Sequence, residues 1–205
     1  MTPVAWELNF YPGELRRTSV PAAGGAARVY WYFPYRVVNN TGQDLDFLPH
    51  VERVGEIDSE APPQIAASQP ERGARMFVEP AIVGLDSAVF RAIRQSHPRS
   101  HPFLVEPVQA IGRLLHGADN ARESVIVFGD LDPRVNRFTI YVGGLSGERQ
   151  AVSNPGFDAR KPAGEKNPRQ FVLQKTLAMP YTLPGDPNTR RNAIPVLGRM
   201  DWVMR

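Results

Sequence analysis

A chain of 205 residues with 42% hydrophobic and 22% charged residues can bury one sizeable core and is too apolar for wholesale disorder. Having no cysteine, it excludes disulfides, thiolate catalysis and cysteine-ligated zinc or iron–sulfur centres. A net charge of +3 is a poor footprint for a dedicated nucleic-acid binder, even though all but Lys161, Lys166 and Lys175 of the 24 basic residues are arginine.

In chain order, Val4, Trp6, Leu8 and Phe10 alternate with more polar residues, the period of a half-buried strand, and Tyr11-Pro12-Gly13 reads as its turn. The glycine-rich stretch Ala22 to Ala27 leads into the strongest strand pattern, Val29 to Asn39. Val29, Trp31, Phe33, Tyr35 and Val37 lie on one face of it, and Tyr30, Tyr32 and Val38 on the other. Apolar weight on both faces predicts a central strand covered on both sides, with Arg36 marking where one face reaches water. Asn39 to Gly42 reads as a turn, with Leu45, Phe47 and Val51 continuing as the hairpin partner.

Ser59 to Arg75, rich in Pro, Ala and Gln, reads as a loop. A single helix is expected over about 86–95, capped by Asp86 and stapled by Leu85 on Phe90, with Val89 and Ile93 on its buried face. Arg91 and Arg94 suit its C-terminal end, and His97-Pro98 ends it. Strands are predicted at Val108 to Leu115, Ser124 to Phe128 and Arg137 to Val142. Ser153 to Gln170 follows as an exposed, mobile loop. A long strand carries Phe171, Leu173, Leu177, Met179 and Tyr181 on one face, a turn falls at Pro184 to Pro187, and Met200, Trp202 and Met204 mark a last strand. There is no internal repeat. Met1 to Phe10 lacks the basic stretch, apolar run and small-residue site of a secretory leader, and no window approaches a membrane span.

The run Tyr35-Arg36-Val37-Val38-Asn39-Asn40-Thr41-Gly42 resembles the Y-x-V-x-N-x-T-G signature of many bacterial immunoglobulin-like domains, where it marks a core strand and the turn after it. Ser124 to Phe128, Asp130 to Pro133 and Tyr141 to Leu145 are similar in order and spacing to envelope proteins of planctomycete-like bacteria. One departure is His116-Gly117, where such domains often carry Pro-Gly. The resemblance covers about the middle two thirds of the chain; it implies an extracytoplasmic scaffold or interaction module and supplies no catalytic residues.

No chemical motif is complete. His97 and His101 have the four-residue spacing of helical zinc ligands, but Pro98 stands between them and no Glu accompanies them; His50 and His116 join them only through the fold. Asp44 with Asp46, and Asp130 with Asp132, sit beside turns, where Asp is favoured for bonding nearby amides, and lack the Gly and Glu of a calcium loop. Ser146 lacks the second glycine of a nucleophile elbow, and Gly143-Gly144 opens no helix and precedes no Gly-Lys-Ser/Thr. Tyr30, Trp31, Tyr32, Phe33 and Tyr35 suit a core better than a sugar- or base-stacking platform. Asn39-Asn40-Thr41 formally matches a glycosylation acceptor.

The expected architecture is therefore an all-β, immunoglobulin-like antiparallel sandwich in one domain spanning 1–205, with one short helix and long Pro-rich insertions at about 59–107 and 153–170. The expected function is a non-enzymatic structural or protein-interaction module. Its candidate surface comprises Trp6 and Trp202 near the chain ends, the basic residues Arg160 and Lys161 of the 153–170 loop, and Arg190-Arg191. No cofactor or metal is expected. Partners are another protein or a second copy, with carbohydrate as the alternative ligand and a metal-assisted hydrolase as a third reading; no specific nucleic acid is expected. The setting is the cell envelope if the chain is a mature form and the cytoplasm otherwise.

Overall fold

A computed structural model of the chain describes residues 5–21, 25–57 and 75–205. Its strands are β1 (Asn9–Pro12), β2 (Arg16–Pro21), β3 (Ala27–Val38), β4 (Leu45–Phe47), β5 (His50–Ile57), β6 (Arg75–Pro80), β7 (Gly112–Leu114), β8 (Arg122–Phe128), β9 (Arg137–Gly143), β10 (Arg149–Ser153), β11 (Gln170–Thr182), β12 (Val196–Leu197) and β13 (Asp201–Met204). Helices α1 (Ser87–Ser96) and α2 (Pro107–Ala110) lie between β6 and β7. The fold is an all-β sandwich of antiparallel sheets.

In the first sheet the central strand is β3. Tyr32 pairs with Arg16 of β2 on one side and Val127 of β8 on the other, and Tyr35 pairs likewise with Pro12 of β1 and Ser124 of β8. Strands β1 and β2 are thus two halves of one edge, interrupted at Gly13 to Leu15, where the Gly13 amide donates to the Pro34 carbonyl at 2.7 Å. The second sheet runs β10-β11-β9-β5-β6, with β12 and β13 also on β11, and β4 pairs with β7 as a separate two-stranded sheet. Consecutive amides join the two sheets: Ala81 N–H donates to Val51 of β5 and Ile82 N–H to Val127 of β8, at 2.9 and 2.8 Å.

Period-two alternation puts Trp31, Phe33, Tyr35 and Val37 of β3 into the core between the sheets, with Ile126, Phe128, Phe138, Ile140, Leu177, Met179 and Tyr181. Tyr32, from the opposite face, joins Val125 and Val127 under Val89 and Ile93 of α1. Strand β3 is therefore covered on both sides, as its aromatics predict, and Arg36 is exposed. Helix α1 begins as expected: the Asp86 carboxylate accepts the Ala88 amide at 2.8 Å, and Leu85 and Phe90 both pack on the outer cluster.

Several local expectations are corrected. Leu45, Phe47 and Val51 do not pair with β3; Leu45 and Phe47 belong to β4, which pairs with β7, while Val51 lies in β5 of the second sheet. Pro49, without an N–H, separates the two short runs. The strand expected over Val108 to Leu115 begins as a helical turn, because Pro107 sits at its first position and the Glu106 amide donates to Gln109 Oε1 at 3.3 Å; only Gly112–Leu114 is paired as a strand. Tyr11 and Pro12 continue β1 rather than turning it. Strands β2, β6, β10 and β12 have no counterpart in the periodicity reading. Most of the loop expected over Ser59 to Arg75, and residues 22–24 of the glycine-rich stretch, lie outside the described residues.

The 153–170 segment closes a ribbon made by β10 and the first half of β11. It is largely exposed, as expected, but it is internally organised. Asn167 is 9% exposed; its amide nitrogen donates to the carbonyls of Asp158, Lys161 and Pro162, and its oxygen accepts the Asp158 amide.

Candidate docking groove

Leu15, just before β2, packs in the inner cluster while Val20 of β2 packs in the outer one, and Arg17 lies on the Leu15 side, over the inner Trp31 ring. On the facing sheet, β12 and the chain leading into it run beside the end of β11, with Tyr181 opposite Leu197. Between these two edges lies a groove of about 800 Å³. Leu15, Trp31, Tyr181 and Leu197 supply its apolar lining, and Glu14, Arg16, Arg17 and Asn192 its polar rim. Ile194, 81% exposed, stands at the mouth.

Two interactions position the polar rim. The Arg17 guanidinium lies 5.3 Å from the centre of the Trp31 ring and donates to Asn192 Oδ1 at 3.3 Å, reaching from the first sheet to the turn before β12. Asn192 is held by the turn before it, where Arg190 donates to the Gly185 carbonyl at 2.8 Å and to the Pro133 carbonyl at 2.8 Å. Arg16 pairs with Glu14 at 2.7 Å. Among the described residues Arg17 has no carboxylate partner.

Tyr181 is 3% exposed and stacks on Phe138 with ring centres 5.4 Å apart, yet its hydroxyl has no hydrogen-bond partner among the described residues. Burial pushes the phenol up to about 12, so it stays a proton donor at physiological pH. Among the described residues β2 pairs only with β3 and β12 only with β11, so both strands bordering the groove have a free outer edge. Such an edge presents unpaired amides and carbonyls to an added strand.

The expected surface residues divide. Trp6 and Trp202 are partly buried against the inner core. Lys175 links their neighbourhoods, reaching Glu7 at 2.9 Å and Glu148 at 3.2 Å with its ammonium 5.1 Å from the Trp202 ring centre. A second concavity of about 820 Å³ beside Trp6 therefore has acidic groups, Glu7 and Glu148, that are already paired. Arg160 and Lys161 lie on the ribbon tip, both paired with Asp158. Arg191 is exposed, but Arg190 is only 7% exposed and braces carbonyls, so it offers no docking surface.

The histidines do not assemble. His97 and His101 approach with ring centres 5.6 Å apart, but His97 shares its nitrogens with Tyr32 Oη at 3.2 Å and Ser100 Oγ at 3.1 Å. His116 Nδ1 instead accepts the Gly42 amide at 3.0 Å, and His50 sits exposed at the start of β5. No group of three or more His, Cys, Asp or Glu suited to a metal occurs among the described residues. Asp44 and Asp46 face Arg113 at 3.9 and 3.8 Å. Asp130 accepts from Trp31 Nε1 at 3.3 Å, and hydrogen bonds from Arg134 lower Asp132 to about 2.

Other motif residues have structural duties. Ser146 Oγ donates to the Trp6 carbonyl at 3.2 Å and accepts the Glu148 amide, so it serves the turn before β10. Asn39 is fully buried; its amide donates to the Gln43 and Leu114 carbonyls, and its oxygen accepts from Thr41. The formal glycosylation acceptor is thus a turn staple. Trp31, Tyr32, Phe33 and Tyr35 are all buried, and so form no stacking platform.

Sequence reasoning passed over Arg17, Asn192, Ile194 and the Tyr181 hydroxyl. The adjacent Arg16-Arg17 pair on an unrecognised strand was the one available signal. The buried Arg53, 1% exposed between the rings of Phe128 and Phe138, had none beyond its place in an alternating strand. No helix among the described residues is long and apolar enough to cross a membrane. No protein-family model, no curated protein and no solved structure matches the chain.

Proposed function

We propose that the chain is a non-enzymatic interaction module that seats an extended segment of a partner protein in the groove between the β1/β2 edge and β12. The observation that carries this reading is the pairing of an apolar-lined groove of about 800 Å³ with two strands whose outer edges are free. Backbone groups along such an edge supply affinity, and the apolar lining takes up alternate side chains. The buried aromatics of β3 weigh against the carbohydrate reading, which needs exposed rings. The bacterial envelope as the setting rests on the resemblance of Tyr35 to Gly42 and the later runs.

Selection of binders from a displayed library of random peptides tests the reading. Enriched peptides are expected to bind the wild-type chain and to lose at least roughly tenfold in affinity against Ile194→Asp/Leu197→Asp, since a charge replaces apolar contact at the mouth. Both residues are exposed, 81% and 40%, so the fold tolerates the change. Failure to enrich any peptide, or binding indifferent to the two substitutions, would overturn it.

A further inference from the structure

We infer that the groove selects a segment carrying an aspartate or glutamate side chain among apolar residues, with Arg17 as the group that receives its carboxylate. This rests on the docking reading above and adds the chemistry of the occupant.

Arg17 is exposed and without a carboxylate among the described residues, and its hydrogen bond to the neutral Asn192 Oδ1 is long, at 3.3 Å. Of the other charged residues at the rim, Arg16 and Glu14 compensate each other, which leaves the groove with one surplus positive charge. A carboxylate offers two oxygens to the forked guanidinium, a charge-assisted pair in place of the long bond to a neutral amide. A lysine-bearing segment would meet Arg17 as a like charge.

Trp31, under the Arg17 guanidinium, keeps that cation over an aromatic face rather than free in solvent. The cation is thereby held at the groove before any ligand arrives, which lowers the ordering cost of binding.

The test uses three fluorescein-labelled nonapeptides of alternating Leu and Ser whose central residue is Glu, Gln or Lys, titrated by fluorescence anisotropy against the full chain. The Glu peptide is expected to bind roughly tenfold tighter than the Gln peptide, and the Lys peptide more weakly still. Arg17→Gln should abolish the Glu-over-Gln preference while leaving the Gln peptide unaffected. Tyr181→Phe should leave the preference unchanged, because that hydroxyl is closed off from solvent. Equal binding of the Glu and Gln peptides, with both lost in Ile194→Asp/Leu197→Asp, would overturn the carboxylate selection and leave the groove standing. Binding of none of the three would overturn both.

Discussion

Arg53 donates to Glu79 from between two aromatic rings, its guanidinium carbon 5.0 Å from the centre of Phe128 and 5.8 Å from that of Phe138. The pair joins neighbouring strands β5 and β6, and Glu79 also accepts the Gly129 amide at 2.9 Å, which fixes the end of β8. Burial lowers the Arg53 pKa, and the adjacent Glu79 works against that shift. Glu79→Ala strands this charge and is expected to cost about 3 kcal/mol in urea unfolding, whereas Arg53→Met/Glu79→Met should recover most of the loss. A double variant no more stable than Glu79→Ala would contradict this account.

Gly42 and Gly144 both take positive φ, +86° and +80°, but their surroundings differ. A Cβ on Gly42 meets nothing within 4 Å, whereas on Gly144 it collides with the Leu48 carbonyl. Gly42→Ala should therefore cost about 1 kcal/mol, the conformational term alone. Gly144→Ala should cost clearly more, and equal urea midpoints for the two variants would count against the packing of Leu48 on the β9 end.

His97 is held below its ordinary pKa by burial first, then by the positive field of Arg16 and by His101. Around it, β2 contributes Arg16, β3 contributes Tyr32, and its own segment contributes Ser100 and His101. A depressed folded pKa means that the unfolded chain binds the proton more readily. The associated stability is thus complete above about 6.5 and falls away as pH drops from there through the folded value. Urea midpoints should decline between pH 7.5 and 5, and His97→Gln should flatten that decline. An equal slope in the variant would assign the dependence elsewhere. Asp132, lowered to about 2, loses its contribution only at much lower pH.

Asn39 makes four hydrogen bonds from full burial. Asn39→Ala leaves the Leu114 carbonyl and the Thr41 amide without these partners and should cost about 2–3 kcal/mol, measured by thermal and urea unfolding. Asn40→Ala, one residue on and exposed, should change stability by less than about 0.5 kcal/mol. Matching losses would argue against the staple.

What the sequence discloses about the fold follows from how long a periodic pattern persists. Twelve residues of β3 and ten of α1 carry enough alternation, or a clear enough cap, to be read directly. Strand β2 carries Arg17 and Ser19 where core residues would signal a strand, and β12 is only the two residues Val196–Leu197, too short to show a period. Short elements such as β4 and β7 are extended because of their partner, and a partner distant in sequence leaves no periodic trace. The groove escaped for a related reason. Its lining comes from residues 12–17, 31, 181, 192–195 and 197, which only the packing of two sheets brings side by side. Trp6 and Trp202 are visible as isolated aromatics, yet they lie half-buried beside charges already matched.

The amides of Ala81 and Ile82 bind carbonyls in different sheets, one on β5 and the next on β8. A shearing load that slides one layer over the other would therefore meet two successive peptide links that tie layer to layer like a rivet. If a partner strand pulls on the groove edge, that rivet carries the strain into the body of the sandwich.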